Sequence, residues 1–221
     1  MSKVLNIVGA GPGLGEEIAK RFGREGYTVG LLAKDPNVLA DLSKSLSEVG
    51  VATFTADADV TDEAALKKAL DTLNSNLGTP DVVLSNTSMF VEGTPSEVPL
   101  AIFETTWRVA CLSTVIALQH VVPKMKERGS GTFLVPGTPL AIKPWPPGAS
   151  LGAAKAAVRN FTMGAADELK PAGLHVAMLT IDGMIKAGGP FDPVHIAEAF
   201  WLESQKPESA WTPESTFEGA K

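Results

Sequence analysis

The sequence predicts an α/β fold, a doubly wound parallel sheet of six to seven strands with helices on both faces. Three observations predict it. Short apolar runs rich in β-branched residues alternate with segments of helical period six times along the chain. The segments between strands are long enough for the right-handed crossovers that parallel strands need. The 221 residues, 44% hydrophobic and 20% charged, can bury one sizeable core, so a single domain over 1–221 is expected.

The N-terminal element is a strand, a glycine-rich turn and a helix. An apolar strand over 4–8 is followed by the turn 9–15, and an amphipathic helix continues to about Arg24. Glycines let the backbone turn sharply and let a phosphate approach main-chain N–H groups, and a helix N-terminus favours negative charge. The layout predicts a nucleotide-binding turn, with a plain strand-to-helix turn as the alternative. Its spacing is G-x-x-x-G-x-G, which differs from the dinucleotide pattern G-x-G-x-x-G.

Turn and capping residues set the boundaries of the next elements. Gly26 ends the first helix, and Pro36 favours the start of the second because proline is tolerated in a first helical turn. Thr61 and Asp62 favour the start of a third helix, since their side chains can accept hydrogen bonds from its first N–H groups. The sequence therefore predicts strands over 27–33 and 51–56 and helices over 36–48 and 62–76.

The second half of the chain repeats this alternation. A proline-dense loop is expected from Pro136, and Trp211 with Thr212 forms either a final strand or a surface arm. Because the carboxyl ends of parallel strands meet at one edge of a sheet, a ligand is expected at that edge. The remaining strands are predicted over 82–86, 132–135 and 175–181, and the remaining helices over 100–126, 150–169 and 194–204.

Composition and charge argue against several classes of function. The net charge of −6 disfavours nucleic acid or an anionic membrane as a partner. The single cysteine, Cys111, excludes an internal disulfide and fits the cytoplasm, and three scattered histidines give no metal-ligand spacing. No apolar run approaches the length of a membrane span and no signal peptide is recognised, so no membrane partner is expected. The histidine spacing likewise gives no reason to expect a metal.

These motifs resemble those of the short-chain dehydrogenase/reductase family, from Lys3 to about Thr212. The glycine turn matches the family's glycine motif, and Asp59-Val60 matches a pair that contacts adenine in the family. Asn86 is retained from the family motif after the fourth strand. The resemblance implies a Rossmann-like domain that binds a nicotinamide dinucleotide through Gly9, Gly11, Gly13, Leu14, Gly15, Lys34, Asp59, Val60, Asn86, Lys155 and Gly183.

The catalytic residues of that family are asparagine, serine, tyrosine and lysine, and only the lysine is matched. Lys155 stands at the lysine position, but Leu151, Thr138 and Ala110 stand at the tyrosine, serine and asparagine positions. In the family, the lysine acidifies the tyrosine, which donates a proton to the carbonyl oxygen; a positioned general acid contributes roughly 10²–10⁴-fold. Leucine has no such proton. The resemblance therefore implies a degenerate site in which Thr138 and Lys155 remain and hydride transfer needs another proton source.

The resemblance also implies a cofactor preference and an assembly. Ala33 offers no carboxylate to a ribose 2′-hydroxyl, and Lys34 stands where NADP-preferring members have arginine, so NADP is expected more than NAD. A solvated lysine in a turn is the alternative. The helices over 100–126 and 150–169 form a four-helix interface in the family, which implies a homodimer or homotetramer.

Three functions remain open from the sequence. The first is an oxidoreductase acting on a small apolar carbonyl or alcohol, with Asp182, Thr138 or a substrate-bound water as the proton source. The second is a non-catalytic NADP-binding pseudoenzyme, a sensor or scaffold, and the third is a non-redox lyase or isomerase in the same pocket. Cys111 is expected to point away from the site. Aromatic and sulfur side chains that form either a substrate wall or core are Met89, Phe90, Trp107 and Trp145.

Overall fold

A seven-stranded parallel sheet forms the centre of the computed structural model, which describes residues 3–220. The strand order across the sheet is β3-β2-β1-β4-β5-β6-β7. This doubly wound sheet confirms the predicted fold class, while residues 1, 2 and 221 of the predicted domain lie outside the described part. The strands are β1 (Val4–Val8), β2 (Thr28–Ala33), β3 (Thr53–Asp57), β4 (Val82–Ser85), β5 (Gly131–Gly137), β6 (Leu174–Ile181) and β7 (Glu214–Phe217).

Helices cover both faces of the sheet and enclose two apolar clusters. On one face Ile18, Phe22 and Phe200 pack against the sheet, and on the other Leu70 and Val121 do so. Burial of these side chains is the main stabilising contribution, about 25 cal/mol per Å² of apolar surface removed from water. The helices are α1 (Leu14–Gly23), α2 (Pro36–Glu48), α3 (Glu63–Leu77), α4 (Leu100–Trp107), α5 (Ser113–Arg128), α6 (Ala149–Leu169) and α7 (Pro193–Ser204).

The strand order reverses between β1 and β4, and this reversal positions the site. The last residue of β1, Val8, pairs with Leu32 of β2 on one side and with Ser85 of β4 on the other. The chain leaves β1 and β4 in opposite directions, which opens a crevice beyond the carboxyl ends of these strands. The predicted ligand edge is therefore the edge where the glycine turn and Asn86 both lie.

The predicted long helix over 100–126 is not a regular α-helix. A five-residue π-helix, Arg108–Leu112, separates α4 from α5. Insertions of this kind often occur at functional sites, and the apolar pattern alone does not reveal them. By length and composition alone, the helical stretch Leu100–Arg128 could cross a membrane, contrary to the expectation from the sequence. Helices in the cores of soluble proteins meet the same criteria, and Ala117 and Val121 of this stretch are buried in the core.

The prediction for the end of β5 was wrong. Strand β5 continues through Pro136 to Gly137, although Pro136 was assigned to the following loop. Its pairing with β4 ends at Leu134, so the proline lies beyond the part of β5 that is hydrogen-bonded on both sides. Of the two alternatives for Trp211 and Thr212, the strand is not formed: the final strand is Glu214–Phe217, and the Trp211 indole donates to the carbonyl of Lys206 at 2.8 Å.

Two other boundaries shifted because local hydrogen bonds compete with the predicted ones. Helix α3 is capped by Asp62, whose carboxylate accepts from the Ala65 N–H at 3.0 Å. Thr61 does not cap it, since its hydroxyl donates to Asp59 at 2.7 Å. Strand β3 begins after Val51, because the Val51 N–H donates to Leu46 at the end of α2.

Candidate functional site

The glycine turn after β1 is held by the ends of β2 and β4. The N–H groups of Gly9 and Ala10 both donate to the carbonyl of Leu32, at 2.9 and 2.8 Å. The side-chain amide of Asn86 donates to the Gly9 carbonyl at 3.0 Å. A Cβ on Gly9 would lie 3.0 Å from atoms of Asn86 and Thr87, and its φ of 84° is in the left-handed region. Glycine is therefore required at position 9 by both space and conformation.

The other glycines leave the mouth of the turn open. Built Cβ atoms on Gly11 and Gly13 would meet nothing within 4 Å, and Gly13 has a φ of 84°. Gly15 lies inside α1, where a Cβ would be 3.4 Å from the Asn86 amide nitrogen. Gly13 precedes α1 and has no side chain to accept from the first N–H groups of the helix. The turn thus presents main-chain donors at a positive helix end.

The outer cavity lies between this turn and the loops after β2 and β3, with a volume of about 450 Å³. Asp59 on its wall accepts from the N–H of Thr61 at 2.9 Å and pairs with Lys34 at 2.8 Å. The Lys34 ammonium, with hydrogen bonds from Thr61, lowers the pKa of the Asp59 carboxyl to about 2. The predicted residues that line the outer cavity are Gly9, Lys34, Asp59, Val60 and Asn86.

The inner cavity is smaller, about 180 Å³, and lies beyond the ends of β5 and β6. Asn86 and Ser88 line both cavities, so the two are neighbours across the end of β4. Ser88 and Ile185 were not singled out from the sequence; their positions after the ends of β4 and β6 are the signal that marks them. The predicted residues that line the inner cavity are Leu14, Asn86, Thr138, Lys155 and Gly183.

Lys155 is the only ionisable side chain among the described residues that line the inner cavity. Its side chain is buried, and its Nζ donates to the carbonyl oxygens of Pro136 at 3.2 Å and Thr87 at 3.5 Å. Burial lowers the pKa of the Lys155 ammonium to about 8. An amine in this environment carries a proton at neutral pH but gives it up near pH 8.

Leu151 lies on α6 one turn before Lys155 and also lines the inner cavity. It is buried in the core cluster that includes Ala110 of the π-helix. Thr138 is half-buried, and its hydroxyl accepts from the Leu140 N–H at 3.4 Å, which caps a short 3₁₀ turn. The side-chain hydroxyl of Thr138 therefore lies at the wall of the same cavity as Lys155 and Leu151.

Cys111, which was expected to point away from the site and to be a small buried hydrophobe, lies in the core cluster and is not among the residues that line the outer or the inner cavity. Burial raises the pKa of its thiol, and the positive charge of Lys155 opposes this shift. Asp182, considered as a proton source, is exposed and is not among the residues that line the inner cavity.

The candidate substrate wall does not form one surface. Phe90 stacks on Trp145 with ring centroids 6.0 Å apart, and both are largely exposed. Met89 instead lines the outer cavity, while Trp107 packs against the core. Across residues 3–220, no three His, Cys, Asp or Glu side chains come together as a metal site would require.

The profile of the family described as short chain dehydrogenase matches residues 3–187, which is most of the chain. This match decides the family. The chain belongs to the short-chain dehydrogenases. As the resemblance of its motifs implied, the glycine turn, Asn86 and Lys155 all fall within the matched region.

Two related oxidoreductases and one solved structure agree with this match. Serine 3-dehydrogenase of Rhizobium radiobacter is 29% identical over 180 residues, covering 81% of this chain and 71% of the relative. Sulfoacetaldehyde reductase 2 of Chromohalobacter salexigens is 29% identical over 178 residues, covering 80% and 70%. The crystal structure of a short-chain dehydrogenase from Rhodopseudomonas palustris superimposes with a TM-score of 0.87 at 27% identity, covering 97% of each chain. The chain is thus an oxidoreductase-family protein with the family's fold.

Proposed function

We propose that this short-chain dehydrogenase binds NADP across the two cavities and carries a degenerate catalytic site. The observation that carries the proposal is the geometry at Asn86, which lines both cavities and holds the glycine turn between them. A dinucleotide matches this arrangement, because each of its two nucleoside halves has a cavity and the diphosphate between them meets main-chain N–H groups. The two relatives named above are a dehydrogenase and an aldehyde reductase, which are activities of the proposed class.

The residues present fit a dinucleotide. The outer cavity, about 450 Å³, would take the adenosine end between Asp59 and Val60. Gly9, Gly11, Gly13 and Gly15 leave the turn without side chains that would block a diphosphate. When bound, the nicotinamide end would supply or accept a hydride beside Lys155 and Gly183 in the inner cavity.

Lys34 and its neighbours support NADP over NAD. Lys34 is exposed at the rim of the outer cavity and pairs only with Asp59 in the contacts described for residues 3–220. Asp35 is engaged as the N-cap of α2, where its carboxylate accepts from the Asn37 N–H at 2.8 Å. A ribose 2′-hydroxyl therefore finds no free carboxylate at the end of β2, whereas a 2′-phosphate finds an ammonium.

In the inner cavity, Lys155 takes the role of proton source. Leu151, at the position of the family's tyrosine, offers only hydrocarbon to the cavity. The Lys155 ammonium is the ionisable group that lines the inner cavity, and its pKa of about 8 allows it to donate a proton near neutral pH. The hydroxyl of Thr138 can orient a small carbonyl oxygen by a hydrogen bond but is too weak an acid to protonate it.

A second candidate is a binding protein without catalysis, such as a sensor or scaffold. The burial of Leu151 within the core cluster favours it, because the tyrosine position then contributes packing instead of chemistry. A non-redox lyase or isomerase using the inner cavity is the third reading, since such a reaction needs no hydride.

We further propose assembly and location from the family. A groove between α5 and α6 is lined by the buried side chains of Leu118, Val122 and Ala165 and by the partly exposed ring of Phe161. Apolar side chains of this kind are commonly covered by a second subunit, so a homodimer or homotetramer is proposed. The proposed location is the cytoplasm, with a small apolar molecule as the substrate and no nucleic acid or membrane as partner.

Calorimetric titration with NADPH and NADH tests cofactor binding and preference. We expect NADPH to bind more tightly, and Lys34→Ala to weaken NADPH about tenfold while leaving NADH unchanged, since an exposed ammonium–phosphate contact contributes about 1.4 kcal/mol. Lys44→Ala is the matched control, because Lys44 is an exposed lysine of α2 that does not line either cavity. If neither nucleotide binds, the proposal fails; if both variants behave alike, Lys34 does not select the phosphate.

A further inference from the structure

The inner cavity combines a buried lysine with open space. Lys155 and the hydroxyl of Thr138 line a cavity of about 180 Å³, whose other walls include Leu14, Leu151 and Ile181. A cavity of this size admits a molecule of only a few carbon atoms. Because these walls are mostly apolar, a small uncharged aldehyde or ketone fits them better than an acid or a sugar phosphate.

The hydrogen bonds of Lys155 suit the neutral amine. A neutral amine has two N–H donors and one lone pair, and Nζ lies 3.2 Å from the Pro136 carbonyl and 3.5 Å from the Thr87 carbonyl. Both donors can therefore be directed at the backbone, which leaves the lone pair without a hydrogen bond. Within residues 3–220, no carboxylate forms an ion pair with Lys155, so no negative charge of this kind stabilises its ammonium form.

We propose that Lys155 forms a Schiff base with small aldehydes or ketones that enter the inner cavity. The amine nitrogen attacks the carbonyl carbon, a C–N bond forms, and a proton moves from nitrogen to the carbonyl oxygen. The resulting hydroxyl then takes up the second proton of the nitrogen and leaves as water, and a C=N bond remains, so the step needs no oxidant or reductant. Thr138 can hydrogen-bond the oxygen during this exchange. Desolvated lysines in apolar pockets are activated for this chemistry.

The surroundings of Lys155 raise the fraction of its amine that is neutral. Burial is the main cause that lowers the pKa of its ammonium to about 8. Within residues 3–220, Cys111 of the π-helix is the one other ionisable group that affects the pKa of Lys155. Pro136 and Thr87 present backbone carbonyls to the Lys155 amine, and Leu151 contributes hydrocarbon to the same cavity. At neutral pH the neutral fraction of an amine with a pKa of 8 exceeds that of an ordinary lysine on the order of a hundredfold.

Reductive trapping tests the inference on the full-length protein without nucleotide. The protein is mixed with propanal at neutral pH, treated with borohydride, digested and analysed by mass spectrometry for propylated lysines. We expect the peptide that contains Lys155 to be modified at least tenfold faster than the peptide that contains the exposed Lys44. Modification of Lys155 no faster than Lys44 would overturn the inference.

Two variants make the test specific. Lys155→Arg keeps the positive charge but cannot form the imine, so propylation at position 155 should vanish while Lys44 is modified as before. Ile185→Trp should slow the modification of Lys155, because Ile185 lines the inner cavity at an exposed position and a larger ring there fills the space; an unchanged rate would show that the carbonyl does not enter there and would overturn the inference. Since no nucleotide is present, failure of this test leaves the proposed binding of NADP standing, and the titration above tests that separately.

Discussion

Replacement of Leu151 by tyrosine should raise carbonyl reductase activity. Leu151 and Lys155 lie one helical turn apart on α6 and line the same cavity, so a phenol at position 151 would be close to the ammonium. The positive charge would lower the pKa of the phenol and make it a better acid. A positioned general acid contributes about 10²–10⁴-fold, and this is the gain in kcat/KM that we expect.

Packing sets the cost of this change. Leu151 is 9% exposed, and the inner cavity of about 180 Å³ beside it can accept part of the larger ring. Overpacking a core position costs about 1–3 kcal/mol, and we expect the lower end because of this space. Thermal unfolding of the variant should therefore show a modest loss of stability with a folded baseline intact.

The assay follows the loss of NADPH absorbance over a panel of small ketones and aldehydes. Leu151→Phe is the matched control, since it adds the same ring without the hydroxyl. We expect turnover with Leu151→Tyr and none above wild type with Leu151→Phe. Equal rates in the two variants would refute the reasoning, because the added activity would then not depend on an acidic proton.

Two further predictions concern stability. The pKa of the Lys155 amine is about 8 in the folded protein and near 10.4 in the unfolded chain. Above about pH 10.4 the amine is neutral in both states, and burial carries no cost of charge. The free energy of unfolding therefore falls as the pH falls from about 10.4 to about 8. Lys155→Met should thus be more stable than wild type by up to about 3 kcal/mol at neutral pH. The free energy of unfolding of this variant, measured with urea, should also not rise between about pH 8 and 10 as that of wild type does. Asp62→Ala should cost about 1 kcal/mol by removing the cap of α3, whereas Thr61→Ala should cost less; equal losses in urea unfolding would contradict the assignment of the cap.

The sequence was sufficient for the architecture and for the placement of individual motifs. Alternation of strand and helix periods predicted the doubly wound sheet, because each period reflects which side of an element faces the core. The places of Gly9 and Lys155 in the fold were predictable for a related reason: a turn after β1 and a helix of small residues each have a local sequence pattern. At both positions the local structure is determined by residues that are near in the sequence.

Features that depend on distant contacts were not predictable. The ion pair of Lys34 with Asp59 joins the loops that follow β2 and β3, and the effect of Lys155 on the pKa of Cys111 joins α6 to the π-helix. Thr61 failed as a cap because Asp59 competes for its hydroxyl, which no capping rule states. The size of the inner cavity also follows only from three-dimensional packing, and it decides what can reach Lys155.

The central claim, that the glycine turn holds a diphosphate, is tested most directly at Gly11. A Cβ there meets nothing within 4 Å and the backbone is not left-handed, so a side chain is tolerated without strain. We would measure NADPH affinity by calorimetry for Gly11→Asp and for its uncharged counterpart Gly11→Asn. A negative charge at the turn should weaken binding at least tenfold beyond the Asn variant, about 1.4 kcal/mol. Equal affinities in the two variants would place the diphosphate elsewhere and contradict the account.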